Sequence, residues 1–170
     1  KLEYGKREFN NKEFNILELE KEVIRKTQVM IDEKQAEIKF DNIGDIQVFA
    51  DDFYIEQVLT NYLTNAIKNV NEIDGEKYIR ISNEINKEKN KVCIKVFNTG
   101  DKISEENLNR IWNRFYKADE SRHREDGGTG IGLAFVKAIM GNYDNKYGVR
   151  NLENGVEFYF ELDVRQVRQS

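Results

Sequence analysis

Several residue types are scarce in this 170-residue chain, and each scarcity removes a class of protein. One cysteine and one histidine cannot build a structural zinc site or a disulfide framework. The single thiol, Cys93, fits a reducing compartment. No apolar run approaches the roughly 20 residues a membrane helix needs, and no signal peptide is visible. Positive charge is not in excess: Lys plus Arg number 27 against 31 Asp plus Glu, a net charge of −4, which argues against nucleic acid as a main partner. Proline is absent, and we attach no functional reading to that bias. What the chain does have is 39% hydrophobic residues, enough for one core, at a length typical of one domain. It begins at Lys1, not Met, so the expectation is a fragment or a processed product.

Residues 1–14 are polar and weakly patterned and read as a connector. From Ile16, apolar positions Ile16, Leu19, Val23, Ile24, Thr27, Met30 and Ile31 recur at helical spacing, which predicts a helix over about 16–35. Short strands follow at Glu37–Ile43 and Gln47–Ala50. Asp51 and Asp52 suit the N-cap of a helix over Phe53–Asn71. Ile55, Val58, Leu59, Tyr62, Leu63, Ala66, Ile67 and Val70 form its apolar face. Gln57, Asn61, Asn65, Lys68 and Glu72 fall near one line on the opposite side. Tyr78–Asn86 and Val92–Asn98 read as paired strands. Ser104 begins an expected helix burying Leu108, Ile111, Trp112 and Phe115. Residues 117–128 are a charged loop, Ile131–Met140 a helix, and Tyr147–Asn151 and Val156–Val164 closing strands. Helices on one side of a mostly antiparallel sheet make this an α+β layer arrangement.

Four features could carry chemistry. The first is the glycine run Gly127-Gly128-Thr129-Gly130-Ile131-Gly132-Leu133, which leads into a helix where backbone amides and the helix dipole favour an anion. It is not a Walker loop, which needs Lys-Ser/Thr where Leu133-Ala134 stands. It is not a dinucleotide fingerprint either, since a charged loop precedes it in place of a buried strand. On its own the run reads equally as a hinge. The second is the polar helix face, where Asn61 and Asn65 offer neutral oxygens suited to Mg²⁺ and Lys68 offers a point charge for phosphate. Taken alone, that face reads more readily as an ordinary solvated one. The third is Asn98-Thr99-Gly100 at a strand end, either a base-reading site or a turn. The fourth is the loop holding Lys117, Arg122, His123 and Arg124 among four acidic residues, either a mobile lid or a solvated loop. His123 has no catalytic partner pattern, and no Gly-x-Ser-x-Gly elbow is present.

Taken in chain order, with the Phe-rich segment Trp112-x-x-Phe115 between Gly100 and the charged loop, these features resemble the ATP-binding catalytic domain of bacterial sensor histidine kinases. The helix Asn61-Tyr62-Leu63-Thr64-Asn65-Ala66-Ile67-Lys68 is similar to the family's N box, and Asn98-x-Gly100 to its G1 box. Trp112-x-x-Phe115-Tyr116-Lys117 is similar to the F box, and Gly128–Leu133 to the G2 box. The resemblance implies a two-layer Bergerat-type (GHKL) α/β sandwich with a mobile ATP lid, about three main helices lying on one face of a mixed sheet. It implies a catalytic domain over 12–166, a linker from missing phospho-acceptor helices over 1–11, and a tail over 167–170. The implied cofactors are ATP and Mg²⁺. Asn65, with Asn61 on the same face, would hold the metal. Lys68 would touch phosphate and Asn69 would line the nucleotide site. Asn98 takes the adenine-reading position, normally Asp, with Gly100 and Ile103 beside it. Lys102 stands where a glycine is usual. Lys117 and Arg122 would reach the terminal phosphate from the lid. Gly128, Thr129, Gly130, Ile131, Gly132 and Leu133 would close over the phosphates.

Chaperones, topoisomerases and mismatch-repair ATPases of the same fold place a Glu one turn before the metal-binding Asn to activate water. Here that position is Asn61, and an amide cannot act as a general base. Slow hydrolysis and transfer to an external acceptor are therefore expected, with Asn65, Lys68 and Lys117 as the catalytic set. The resemblance places the acceptor histidine on a separate dimerisation and phosphotransfer domain, with a response regulator reached through it. It implies a cytoplasmic domain of a membrane-anchored sensor, this fragment itself touching no membrane. Two other readings remain: a non-catalytic ATP-dependent docking module, kept open by Asn98 and Lys102, and a serine kinase of the same fold that restrains a sigma factor.

Overall fold

Alternation with period two in the strands and a three-to-four residue period in the helices produce two layers. The computed structural model describes residues 8–41, 43–113 and 132–168. In chain order the elements are β1 (Lys12–Asn15), α1 (Ile16–Glu33), β2 (Glu37–Phe40), β3 (Asp45–Ala50), α2 (Asp52–Asn69), β4 (Tyr78–Asn86) and β5 (Lys91–Thr99). A 3₁₀ turn (Arg110–Trp112) is followed by α3 (Gly132–Met140), β6 (Tyr147–Leu152) and β7 (Gly155–Arg168). The seven strands form one mixed sheet in the order β1-β3-β7-β5-β4-β2, with β6 also paired to β7. Only β2 and β4 run parallel. The 14-residue β7 serves two partners on one side. Its first half pairs with β6 and its last with β3, while β5 runs along its other side.

Because side chains alternate across a strand, one face of this sheet carries the core. Val92, Ile94 and Val96 of β5 stand opposite Leu162, Phe160 and Phe158 of β7, all buried. The same register makes Asn98, opposite Val156, the last inward residue of β5. The three helices lie against this face, so the α+β two-layer sandwich expected from the sequence is the architecture. Asp51 caps α2 as expected: its carboxylate accepts from the Phe53 N–H at 3.0 Å and from the Asn10 N–H at 2.7 Å.

Some local expectations differ from the structure. Residues 12–15, read as connector, form β1, an edge strand antiparallel to β3. Its period-two signal is a single Phe14, too short to register in the sequence. The helix expected from Ser104 is a series of turns ending in the 3₁₀ segment, with the Ser104 carbonyl accepting from the Asn107 and Leu108 N–H groups. Phe115 lies outside the described residues. The buried stripe of α1 is Ile16, Leu17, Glu20, Val23, Thr27 and Ile31. Leu17 replaces the expected Leu19, which is only partly buried, and Met30 is exposed.

Glu20 is fully buried inside that stripe. Its Oε1 accepts from the Asn83 side-chain N–H of β4 at 2.9 Å, while Glu20 Oε2 and Asn83 Oδ1 have no hydrogen-bond partner. Two acceptors without a donor fit a neutral carboxyl: one proton on Glu20 supplies the missing O–H and closes an acid–amide ring with Asn83. Burial pushes its pKa up to about 8, against which the Asn83 hydrogen bond acts in the opposite direction. The folded chain therefore holds a proton that the unfolded chain, with its ordinary carboxylate value of 4.5, releases. Stability is full below that lower value and falls as the pH rises towards about 8. Each unit of that window is worth at most about 1.4 kcal/mol. Denaturant unfolding at pH 5, 7 and 8.5 should show this decline. In Glu20→Gln, whose amide reproduces both halves of the ring, the decline should be absent and the stability at pH 8.5 at least that of the wild type.

Candidate functional site

The site is assembled from the polar side of α2, and its orientation is fixed by what lies beneath. Tyr62 is fully buried, packs on Phe158, Phe160 and Trp112, and donates its hydroxyl to the Tyr159 carbonyl at 3.0 Å. Burial holds that hydroxyl well above the usual tyrosine range, so it stays a donor. With Tyr62, Leu63, Ala66 and Ile67 turned inward, Asn61 and Asn65 share the outward face one turn apart, with Lys68 and Asn69 exposed at the last turn. The Asn69 side-chain N–H donates to the Asn65 carbonyl at 2.8 Å and to Asn65 Oδ1 at 3.3 Å.

The N-terminus of α3 meets this face. An ideal Cβ placed on Gly132 would lie 3.1 Å from Asn61 Oδ1, so the glycine lets the helix start close on the amide. Leu133 follows, partly buried against the core. Thus Gly132, the last glycine of the run, and Asn61 are brought together. Lys117, Arg122, Gly128, Thr129, Gly130 and Ile131 lie outside the described residues, as does His123.

The other wall is the end of β5. Asn98 is 2% exposed, and its side-chain N–H donates to the Thr99 carbonyl at 3.0 Å, leaving Oδ1 as the acceptor. The Thr99 carbonyl also receives the Asn71 N–H just after α2, which ties the strand end to the helix end. Gly100 sits at φ +151°, and a Cβ there would come within 2.7 Å of the Asn69 carbonyl. Only glycine fits this turn without displacing the backbone of α2. Beyond it, Asp101 and Lys102 are exposed and Ile103 packs on the core.

Sequence reasoning read the β6–β7 hairpin but missed that it supports this wall. The Gly100 N–H donates to the Asn154 carbonyl at 3.1 Å. Asn151 receives the Ile103 N–H on Oδ1 at 2.9 Å and donates to the Ile103 carbonyl at 2.7 Å. Residues 153–155 were legible only as a strand-joining turn, because nothing local links Asn151 to a segment 48 residues earlier.

The donor set bears on which metal chemistry is available. Among the described residues no group of three or more His, Cys, Asp or Glu could hold a metal ion. Asn61 and Asn65 supply neutral oxygens only, which suits Mg²⁺ that arrives with phosphate charge and suits a free cation poorly. The residues fit a metal–nucleotide pair. Cys93 offers no alternative chemistry: burial pushes its thiol up to about 11, so it stays protonated.

The site's geometry agrees with what the chain is similar to. Residues 50–166 match the family described as histidine kinase-, DNA gyrase B-, and HSP90-like ATPase. The sensor histidine kinase CusS of Escherichia coli O157:H7 is 31% identical over 139 residues, covering 81% of this chain and 27% of CusS. The chain thus spans about a quarter of the length of the curated relatives it matches. The nucleotide-free catalytic domain of histidine kinase ThkA superposes with a TM-score of 0.75 at 34% identity, over 90% of this chain and 97% of that one. ThkA in complex with its response regulator protein TrrA gives a TM-score of 0.71 at 31% identity, over 91% of this chain and 42% of that one. The chain belongs to the histidine kinase-, DNA gyrase B- and HSP90-like ATPase family, as the catalytic domain type of sensor histidine kinases in two-component signalling.

Proposed function

We propose that this chain binds Mg-ATP between the amide face of α2 and the glycine-led start of α3, and directs the γ-phosphoryl group to a histidine on a separate helical domain. The observation that carries the reading is the approach of Gly132 to Asn61, which joins the glycine run to the amide face. In this reading residues 12–166 are the catalytic domain, 1–11 a linker and 167–170 a tail. A bound Mg²⁺ would neutralise the phosphate oxygens, and Asn65 and Asn61 would orient it through their side-chain oxygens. Lys68 would add a positive charge beside the phosphates, and Asn69 would hold Asn65 in place. Lys117 and Arg122 would act from the loop, with Gly128, Thr129, Gly130 and Ile131 closing over the phosphates. Asn98, Gly100 and Ile103 would receive the adenine ring, with Asn98 Oδ1 accepting from its amino group.

Neither Asn61 nor Asn65 can take a proton from water. Asn61 occupies the place where a general base would stand, and an amide does not serve. The chain's residues therefore position and neutralise, and the nucleophile comes from outside. The partner domain would be the protein's own dimerisation and histidine-phosphotransfer helices, with a response regulator acting through them, as ThkA is seen with TrrA. We place the domain on the cytoplasmic side of a membrane-anchored sensor. No helix among the described residues is long and apolar enough to cross a membrane itself.

Two measurements check this. Mixed with its helical acceptor domain and Mg-ATP, the chain should label a histidine with an acid-labile phosphoryl group, and alone it should label nothing. ATP binding without transfer would instead favour a docking module, consistent with the uncharged Asn98 and with Lys102 in place of glycine. Asn65→Ala should weaken Mg²⁺-dependent nucleotide binding at least tenfold in calorimetry. Its cost in stability should be within about 1 kcal/mol, since Asn65 is not a core residue. Unchanged affinity would remove Asn65 from the site.

A further inference from the structure

Asn151 was not among the residues expected at the site, yet its contacts reach it. The segment Gly100–Ile103 leaves β5 and has no ladder of its own. It is held at both ends by the β6–β7 hairpin: Gly100 N–H on the Asn154 carbonyl, and Ile103 on the Asn151 side chain. The Asn151 amide satisfies both the N–H and the C=O of Ile103, as a neighbouring strand would. These are the only hydrogen bonds to the Ile103 main chain among the described residues. Between the two anchors, Asp101 and Lys102 are exposed and contribute no hold of that kind.

We propose that Asn151 is a positioning residue for the nucleotide base, fixing the Gly100–Ile103 strap at its distance from Asn98. This rests on the reading above that Asn98, Gly100 and Ile103 receive the base. The strap is the wall of that pocket that lies outside the sheet ladder, while Asn98 is fixed inside the sheet register. Without the Asn151 amide, the strap keeps its anchor at Gly100 and loses the one at Ile103. The pocket then has to order its own wall when the nucleotide arrives, which weakens binding without altering the groups that touch phosphate.

The requirement is for one acceptor and one donor on the same planar group, and that makes the test specific. Asparagine meets it at any pH. Aspartate meets it only when protonated, because the ionised form loses the donor and faces the Ile103 carbonyl with negative charge. Mg-ADP binding to the 170-residue chain should be measured by calorimetry at pH 5 and pH 8 for wild type, Asn151→Ala and Asn151→Asp. Each affinity is expressed relative to wild type at the same pH, so that the nucleotide's own titration cancels. Arg150→Ala serves as a control on the same strand: it removes the Arg150–Glu157 ion pair and the stacking of Arg150 on Tyr159, and leaves both hydrogen-bond anchors of the strap in place.

Asn151→Ala should bind about tenfold more weakly at both pH values, as expected for a lost pair of hydrogen bonds. Asn151→Asp, ionised at pH 8 and still largely so at pH 5 since an ordinary aspartate titrates at about 3.9, should bind at least as weakly as the alanine variant at pH 8. Arg150→Ala should bind as wild type. Thermal unfolding of Asn151→Ala should show it fully folded at the assay temperature, which separates weakened binding from a general loss of stability. Alanine-variant affinity within twofold of wild type, or an aspartate variant that binds as wild type at pH 8, would overturn the role. No binding of Mg-ADP by the wild type would instead mean that the nucleotide reading has failed, and this role with it.

Discussion

Everything at the site depends on how α2 is locked to the sheet. Tyr62 spends its ring on Phe158, Phe160 and Trp112 and its hydroxyl on the Tyr159 carbonyl, so the helix has one rotational setting. That setting turns Asn61 and Asn65 outward and brings Asn61 under Gly132. The amide face is therefore a by-product of core packing on its opposite side. Asn61 and Asn65 are neutral and α2 ends at Asn69, before Glu72, so in the proposed reading the charge of a metal is balanced by the ligand that brings it. The same neutrality of Asn61 gives water no base there, which is the ground on which we propose transfer over hydrolysis.

The second wall depends on the sheet. Asn98 is the last inward position of β5, and its amide orientation is set by the Thr99 carbonyl, which also receives Asn71 from the end of α2. Gly100 can turn away only because it has no side chain to meet the Asn69 carbonyl. The loop that follows is then stitched to the β6–β7 hairpin. Helix end, strand end and hairpin thus share hydrogen bonds around one cleft, although they come from residues 69–71, 98–103 and 151–155.

Much of this was legible in the sequence, and the rest was hidden for physical reasons. α2, β4 and β5 were readable because their periodicity is long and their caps are explicit, as with Asp51. The amide face and the strand-end Asn98-Thr99-Gly100 could be named for the same reason. β1 was not readable because an edge strand of four mostly polar residues exists only through its pairing with β3. The turns after Ser104 kept helical spacing without forming a helix, since Ile111 and Trp112 find their packing after a single 3₁₀ turn. Glu20 sat at a stripe position, three residues from both Leu17 and Val23, and was passed over as a charge. Its partner Asn83 is 63 residues away, beyond local reasoning. Asn151 was hidden likewise, since a polar residue near a turn gives no sign of what it will hold.

The central claim is that Asn61 and Asn65 offer a cation only neutral oxygens, so that metal and nucleotide are proposed to bind as one. Titrating the chain with Mg²⁺ alone, and with ADP in the presence and absence of Mg²⁺, tests this most directly. The account predicts no heat of binding for millimolar Mg²⁺ alone, and a large gain in ADP affinity when Mg²⁺ is present. Tight Mg²⁺ binding without nucleotide, or ADP affinity unchanged by removing the metal, would contradict it.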